Sequence, residues 1–273
     1  MRSKIGVFIV ICFLGCKKEV PTTIREPDTA NLPYYKPPIE FYGPNDKACQ
    51  YDTMGYAQLV RDTIDAIKSR IMSYYEDIEP IYPCCGEVQT DLYGDYYFCT
   101  SGDLTAKWYF EKGEDATYKW EVHLTGEKGI YKYEDWVFLN ILSDTSGKQA
   151  DFFVYDDTIG DVYVDSESFL ASRWYYNFDD TSGEWVYYKD WMLNSLDIKL
   201  TWTIRCCTTS VRIDYDNDDY RIIENTGKDE GNAFVTLRPN RWIWVRWYAN
   251  GGGEWITHNF PDTFDQSGSW EGE

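Results

Sequence analysis

The chain has 273 residues, of which 46 are acidic and 26 basic, giving a formal net charge of −20. A surface of that sign repels phosphate backbones and anionic headgroups, which excludes nucleic acid as a partner class. Aromatic residues make up 18% of the chain, more than a core of this size needs, so some rings must lie at a surface or under a covering element.

At the amino end, Arg2 and Lys4 flank the start of an apolar run from Ile5 to Leu14. About ten residues is half the roughly 20 that a spanning helix needs, and the layout fits an export signal over residues 1–15. The run closes on Phe13-Leu14-Gly15-Cys16 and is followed by Lys17-Lys18. This stretch resembles the lipobox of bacterial lipoproteins. The resemblance implies cleavage before Cys16, a diacylglycerol on its sulfur and an acyl chain such as palmitate on its new amino group. Each buried methylene contributes about 0.8 kcal/mol, so several chains hold the protein on a membrane without a spanning helix. Lys17 is not the aspartate that marks inner-membrane retention in that class, so the resemblance implies the outer membrane of a Gram-negative cell. It leaves open whether the body faces the periplasm or the outside. An ordinary signal or an uncleaved anchor is the alternative.

Residues 16–50 contain Pro21, Pro27, Pro33, Pro37, Pro38 and Pro44 and read as a lipid-anchored tether. Extended as polyproline, it reaches roughly 100 Å at about 3.1 Å per residue; alternatively, "LPYYKPPIEFYGP" lies along the body through its tyrosines. Within 51–80, Ala57, Val60, Ile64, Ile67, Ile71, Tyr74 and Ile78 recur at spacings of three and four, one stripe of an amphipathic helix. Asp52 or Thr53 is placed to cap its start, and Pro80 and Pro83 end it.

From residue 81 to 273 the period is two. "TYKWEVHL" puts Tyr118, Trp120, Val122 and Leu124 on one side, and "LDIKLTWTIR" does the same with Leu196, Ile198, Leu200, Trp202 and Ile204. Turn signals such as "DTSGK", "DDTSGE", "NTGKDEG" and "NGGG" recur along this region. The expected fold is mainly β: about a dozen antiparallel strands in a large curved sheet, a two-layer sandwich or an open barrel, with one long helix before them. "RWYYNF", "EWVYYKDW" and "RWIWVRWY" carry rings on both faces, so Trp174, Tyr176, Trp185, Tyr187, Trp242 and Trp244 are candidate ligand-facing aromatics. Such a sheet around a helix, behind a lipid anchor, looks like the carriers and receptors of the lipoprotein-sorting system, a likeness of plan without a motif. Cross-strand aromatic packing is the simpler account of these rings.

Beyond the signal and the anchor, six cysteines remain: Cys49, Cys84, Cys85, Cys99, Cys206 and Cys207. In an exported chain they are candidate disulfides, with the 84/85 segment tied to Cys49 and Cys99. His123 shares a polar strand face with Lys119 and Glu121, whereas His258 is in phase with Ile256 and Phe260 and reads as a core histidine. Asp214, Asp216 and Asp218 alternate as in calcium loops. The sixth place, however, holds Asp219 instead of Gly and the twelfth holds Asn225 instead of Glu, so a polar hairpin is the stronger reading. No nucleophile elbow, zinc-protease helix or phosphate loop is found. The expected function is therefore a non-catalytic envelope protein without a cofactor that engages another envelope protein, a lipid or a glycan. The rivals are a carrier for hydrophobic or lipidated cargo, a surface adhesin or assembly subunit, and a carbohydrate-active enzyme, whose paired carboxylates only three dimensions can reveal.

Overall fold

A computed structural model describes residues 31–76, 78–83, 87–113, 116–128, 131–155, 170–190, 195–215, 220–238, 241–259 and 265–273. The signal, Cys16, Cys84, Cys85, Asp216 and Asp218 lie outside these residues. Two helices come first, α1 (Asp46–Tyr51) and α2 (Tyr56–Ser73), followed by a 3-10 turn at Glu79–Ile81. The strands then begin with β1 (Gln89–Thr90), β2 (Asp95–Ser101), β3 (Leu104–Lys112), β4 (Thr117–Lys128) and β5 (Tyr131–Asp144). They continue with β6 (Gln149–Tyr155), β7 (Leu170–Phe178), β8 (Ser182–Asp190), β9 (Ser195–Arg205) and β10 (Thr208–Asp214). The last are β11 (Tyr220–Asn225), β12 (Gly231–Arg238), β13 (Arg241–Trp247), β14 (Gly253–Asn259) and β15 (Gln266–Trp270).

Every strand pairs antiparallel with the next in sequence, so the fifteen form one open sheet in meander order. Alternation then puts one residue set on each face. Trp108, Trp120, Phe152, Trp174, Trp185, Leu200, Val211, Ala233 and Val245 all point to the inner face and are at most 2% exposed. At about 4.8 Å per strand a flat sheet this wide would span roughly 70 Å. The only α-helices among the described residues are α1 and α2, and 18 residues of α2 reach about 27 Å. Inner-face residues from β2 to β14 nevertheless join the helix in one apolar cluster, so the sheet must wrap around it.

The wrapped element is the stripe of α2: Ala57, Val60, Ile64, Ile67 and Ile71 are all buried. Its first turn meets β14, with Tyr56 4.6 Å from Trp255. At its other end Tyr74 stacks on Tyr187 at 3.8 Å, and Arg70 and Tyr74 both bond Asp197 of β9. The residue opening α2 is Gly55, in left-handed conformation with φ 75°. Asp52 acts from one turn earlier, accepting from the N–H groups of Met54 at 3.0 Å and Ala57 at 2.6 Å. No helix among the described residues is long and apolar enough to cross a membrane.

Residues 31–51 dock on the body, so the segment expected as a tether adopts its alternative from Asn31 onward. Asn31 donates to the Thr145 carbonyl in the β5–β6 turn at 2.9 Å, and Tyr34 packs edge-on against Phe178 at 5.3 Å. Phe41 is 4% exposed and Ala48 is fully buried. Asn225 clamps Tyr42 from both sides: Oδ1 accepts the Tyr42 N–H at 2.9 Å and Nδ2 donates to its carbonyl at 3.1 Å. Asn45 does the same for the rim of the sheet, donating to Asp229 and Tyr248 carbonyls while capping α1 at the Ala48 N–H. Residues 31–45, with Pro33, Pro37, Pro38 and Pro44, thereby lie on the body without regular structure of their own.

Candidate functional site

The face of the sheet opposite α2 carries a groove of about 500 Å³ across β3, β4, β5 and β6. Its side chains are the outward set of those strands: Tyr109 and Glu111, Lys119 and Glu121, Asn140 and Leu142, Phe153 and Tyr155, with Tyr93 overhanging from the β1–β2 turn. Strand register explains the juxtaposition, since Tyr109 pairs with Glu121, Glu121 with Asn140, and Asn140 with Phe153. Asn140 Nδ2 also donates to the Tyr155 hydroxyl at 2.8 Å. One row across four strands therefore alternates ring, carboxylate, amide and ring.

The rim is set by Asp91. It accepts from Lys107 Nζ at 2.8 Å, from the Tyr109 hydroxyl at 2.8 Å and from the Tyr93 N–H at 2.9 Å. Burial pushes its carboxyl up, but these three donors outweigh it and bring the pKa down from the ordinary 3.8 to about 2. The Tyr109 hydroxyl moves the other way, to about 12, through burial and its bond to Asp91, against the pull of Lys107. Lys107, held by Asp91 and Tyr109, is raised, and its ammonium lies 4.7 Å from the Tyr96 ring centre. The turn carrying Tyr93, which is 80% exposed, is thus fastened to β3 by an ion pair, with the Tyr93 ring edge-on to Tyr109 at 6.1 Å.

On the far side of Glu121 stands His123, with Nε2 2.5 Å from Glu121 Oε1 and Nδ1 3.0 Å from Asp135 Oδ1. Asp135 reaches it because β5 bulges: Leu124 pairs with Trp136 and Gly126 with Tyr133, leaving Asp135 in left-handed conformation at φ 56°. Gly126 is required there. Its φ is 122°, and a Cβ would come within 2.0 Å of the Asp103 carbonyl oxygen.

The six expected ligand-facing aromatics separate into two groups. Trp174, Tyr176 and Trp185 are fully buried and Tyr187 is 9% exposed, all on the inner face under α2 and the docked segment. Trp242 and Trp244 are half-buried on the outer face. Here the rings form a ladder. Tyr220 stacks on Phe234 at 5.5 Å, Phe234 lies 5.3 Å from Trp242, and Trp242 stacks on His258 at 5.8 Å and 9°. Trp242 thus has Phe234 on one side and His258 on the other, while Trp244 stands outside the ladder. His258 is therefore an outer-face residue, bonded to Asp265 at 2.7 Å, and not a core histidine: the inward positions of β14 are Trp255 and Thr257.

Of the six cysteines expected as disulfide candidates, Cys84 and Cys85 lie outside the described residues. Cys49, Cys206 and Cys207 are free thiols. Cys49 lies within α1 near Arg61, and the 3-10 turn at Glu79–Ile81 packs against β2 and β3. Cys99 Sγ lies 3.6 Å from the Pro80 carbonyl and 3.7 Å from that of Tyr82, beside that same stretch. Asp214 pairs with Arg212 at 2.7 Å. Among the described residues no group of three or more His, Cys, Asp or Glu side chains is placed to hold a metal ion. The groove was not legible as a site because its residues come two at a time from four strands whose register the sequence does not show, although the outward set Lys119, Glu121 and His123 was visible in "TYKWEVHL". Compared with protein-family models, with curated proteins and with solved structures, the chain finds no match in any of the three.

Proposed function

We propose that the protein is a lipid-anchored envelope protein, held through Cys16, that binds a neutral glycan without catalysis in the outer-face groove. The carrying observation is the groove's row of Tyr109, Glu121, Asn140 and Phe153, flanked by Tyr93 and Tyr155. Rings offer apolar faces and edges to the C–H surface of a pyranose, while a carboxylate and an amide accept and donate to its hydroxyls. The charge of −20 favours neutral sugars over uronic or sulfated ones.

The carrier reading has less support. The tryptophans facing α2 at 0% exposure leave no water-sized space beside them, and an acyl chain needs a continuous apolar cavity. A hydrolytic reading draws on one observation: Glu111 pairs with Lys119, two residues from Glu121, so the two glutamates are diagonal neighbours. Such neighbours lie about 7 Å apart, within the range of inverting glycosidases.

The test uses the purified full-length protein on an array of neutral glucans, mannans and N-acetylglucosamine oligomers beside alginate and heparin, followed by calorimetry. A neutral chain is expected to bind, with Tyr109→Ala and Tyr155→Ala each losing about tenfold in affinity, or 1.4 kcal/mol. Preference for the anionic chains, or affinity unmoved by both variants, refutes the site. Release of reducing ends, abolished in Glu121→Gln, would establish the hydrolytic reading instead. Incorporation of labelled palmitate into wild type but not into Cys16→Ala tests the anchor.

A further inference from the structure

The β9–β10 hairpin turns on two residues, Cys206 and Cys207, between the paired Arg205 and Thr208. Both thiols are exposed and free. Cys206 has φ 54°, a conformation in which a residue with a side chain is uncommon and glycine costs least. Two neighbouring thiols here do not readily close on each other. Adjacent Cα atoms across a trans peptide are about 3.8 Å apart, whereas a disulfide wants roughly 4.4–6.8 Å. The ladder on either side, and the bond from the Ile204 N–H to the Thr181 carbonyl at 2.6 Å, holds the turn against rearrangement.

The hairpin itself carries no acidic charge, although Asp179 and Asp180 stand exposed on the neighbouring β7–β8 turn. From Leu200 to Ile213 there is no acidic residue, in a chain with 46 of them, and Arg205 stands exposed beside the tip. Ile204, next to it, is 37% exposed. The turn also lies on the rim where Asn31 meets the body, because alternate turns of a meander share an end and Asn31 bonds the β5–β6 turn. Copies anchored by their amino ends in one bilayer would therefore present this rim at the same height, an argument that rests on the anchor at Cys16.

We propose that the Cys206–Cys207 tip is a covalent coupling site that joins two copies of this chain through intermolecular disulfides. Identical tips related by a two-fold axis bring two thiols against two thiols, the self-complementary contact such symmetry requires. Each bond forms when one thiol from each copy gives up its proton and the pair of sulfurs loses two electrons. A disulfide of the thiol–disulfide exchange class takes both electrons and both protons and leaves as two thiols.

The experiment uses full-length protein in its own membranes, with thiols blocked by N-ethylmaleimide before lysis and the sample run without reductant. A species at twice the monomer mass is expected, converted to monomer by dithiothreitol, absent in Cys206→Ser/Cys207→Ser and retained in Cys49→Ser. Four results overturn the proposal: a monomer carrying maleimide on both residues, a monomer that takes up maleimide there only after reduction, a mixed disulfide with a different protein, or a dimer surviving in the double variant. Detergent-phase partition of the same samples reads the anchor separately. A disulfide dimer in the aqueous phase would remove the anchor and keep the coupling site, and a monomer in the detergent phase would do the reverse.

Discussion

Asn225 is the residue on which the docking of the amino-terminal segment can be tested. It is 5% exposed, faces inward from β11 and exchanges two hydrogen bonds with the backbone of Tyr42. Gly231 on β12 leaves room for the amide, since a Cβ there would come within 2.8 Å of Nδ2. Asn225→Ala removes both bonds, at about 1 kcal/mol each, and leaves a half-buried N–H and C=O that lose more where water cannot reach them, for a total of about 2–4 kcal/mol. At roughly 2–4 °C per kcal/mol for a domain of this size, the unfolding midpoint should fall by about 5–15 °C. Thermal unfolding followed by near-ultraviolet circular dichroism gives the midpoint, and hydrogen exchange at the Tyr42 amide locates the effect. Asn232→Ala is the control: its amide reaches Glu224 at 3.2 Å on the outer face, and its loss should cost under about 0.5 kcal/mol. If Asn225→Ala matches that control, or if it destabilises while Tyr42 exchange stays slow, the segment is held by apolar contacts alone and the clamp argument fails.

Buried tryptophans should divide by their indole N–H. Trp120 donates to Ser143 at 2.9 Å while Trp185 Nε1 is buried without a partner, so Trp120→Phe should cost about 1–2 kcal/mol more than Trp185→Phe in urea unfolding, and equal costs would contradict this. Asp91 titrates lower folded than unfolded, so its contribution is complete above about pH 4 and is lost as pH falls toward 2. Carboxyl NMR should show that titration near pH 2, and Asp91→Asn should loosen the Tyr93 turn at neutral pH; an Asp91 titrating at its ordinary value refutes the clamp. Replacing Cys206 by Gly should raise stability by about 0.5 kcal/mol, as left-handed strain is relieved against a larger unfolded-state entropy, and a destabilised variant would show the strain absent.

The sequence made the apolar stripe of α2 legible because Ala57, Val60, Ile64, Ile67 and Ile71 repeat on one helical face, and the alternation of β4 and β9 was legible for the same reason at period two. The run "RWYYNF" failed as a guide because rings occupy both parities: Trp174 and Tyr176 face in, Arg173 and Tyr175 face out, and only pairing with β6 and β8 decides between them. His258 was misplaced for a related reason, since apolar neighbours at Ile256 and Phe260 imitate an inward phase that belongs to Trp255 and Thr257. The docked segment has no period at all. What holds it, Asn225 and Asn45, comes from its own caps and from strands about 180 residues away, and no local pattern announces an amide that bonds a distant backbone.

The attachment of Asn31 at the β5–β6 turn bears on posture. Should Cys16 carry lipid, fifteen residues at about 3.1 Å each give a leash of roughly 45 Å, less than half of what a free stalk to residue 50 would allow. A body leashed at its lip would then keep that pole within the leash's length of the bilayer. Leu92, fully exposed on the same lip, and Tyr93 beside it would then share the end of the body nearest the leash.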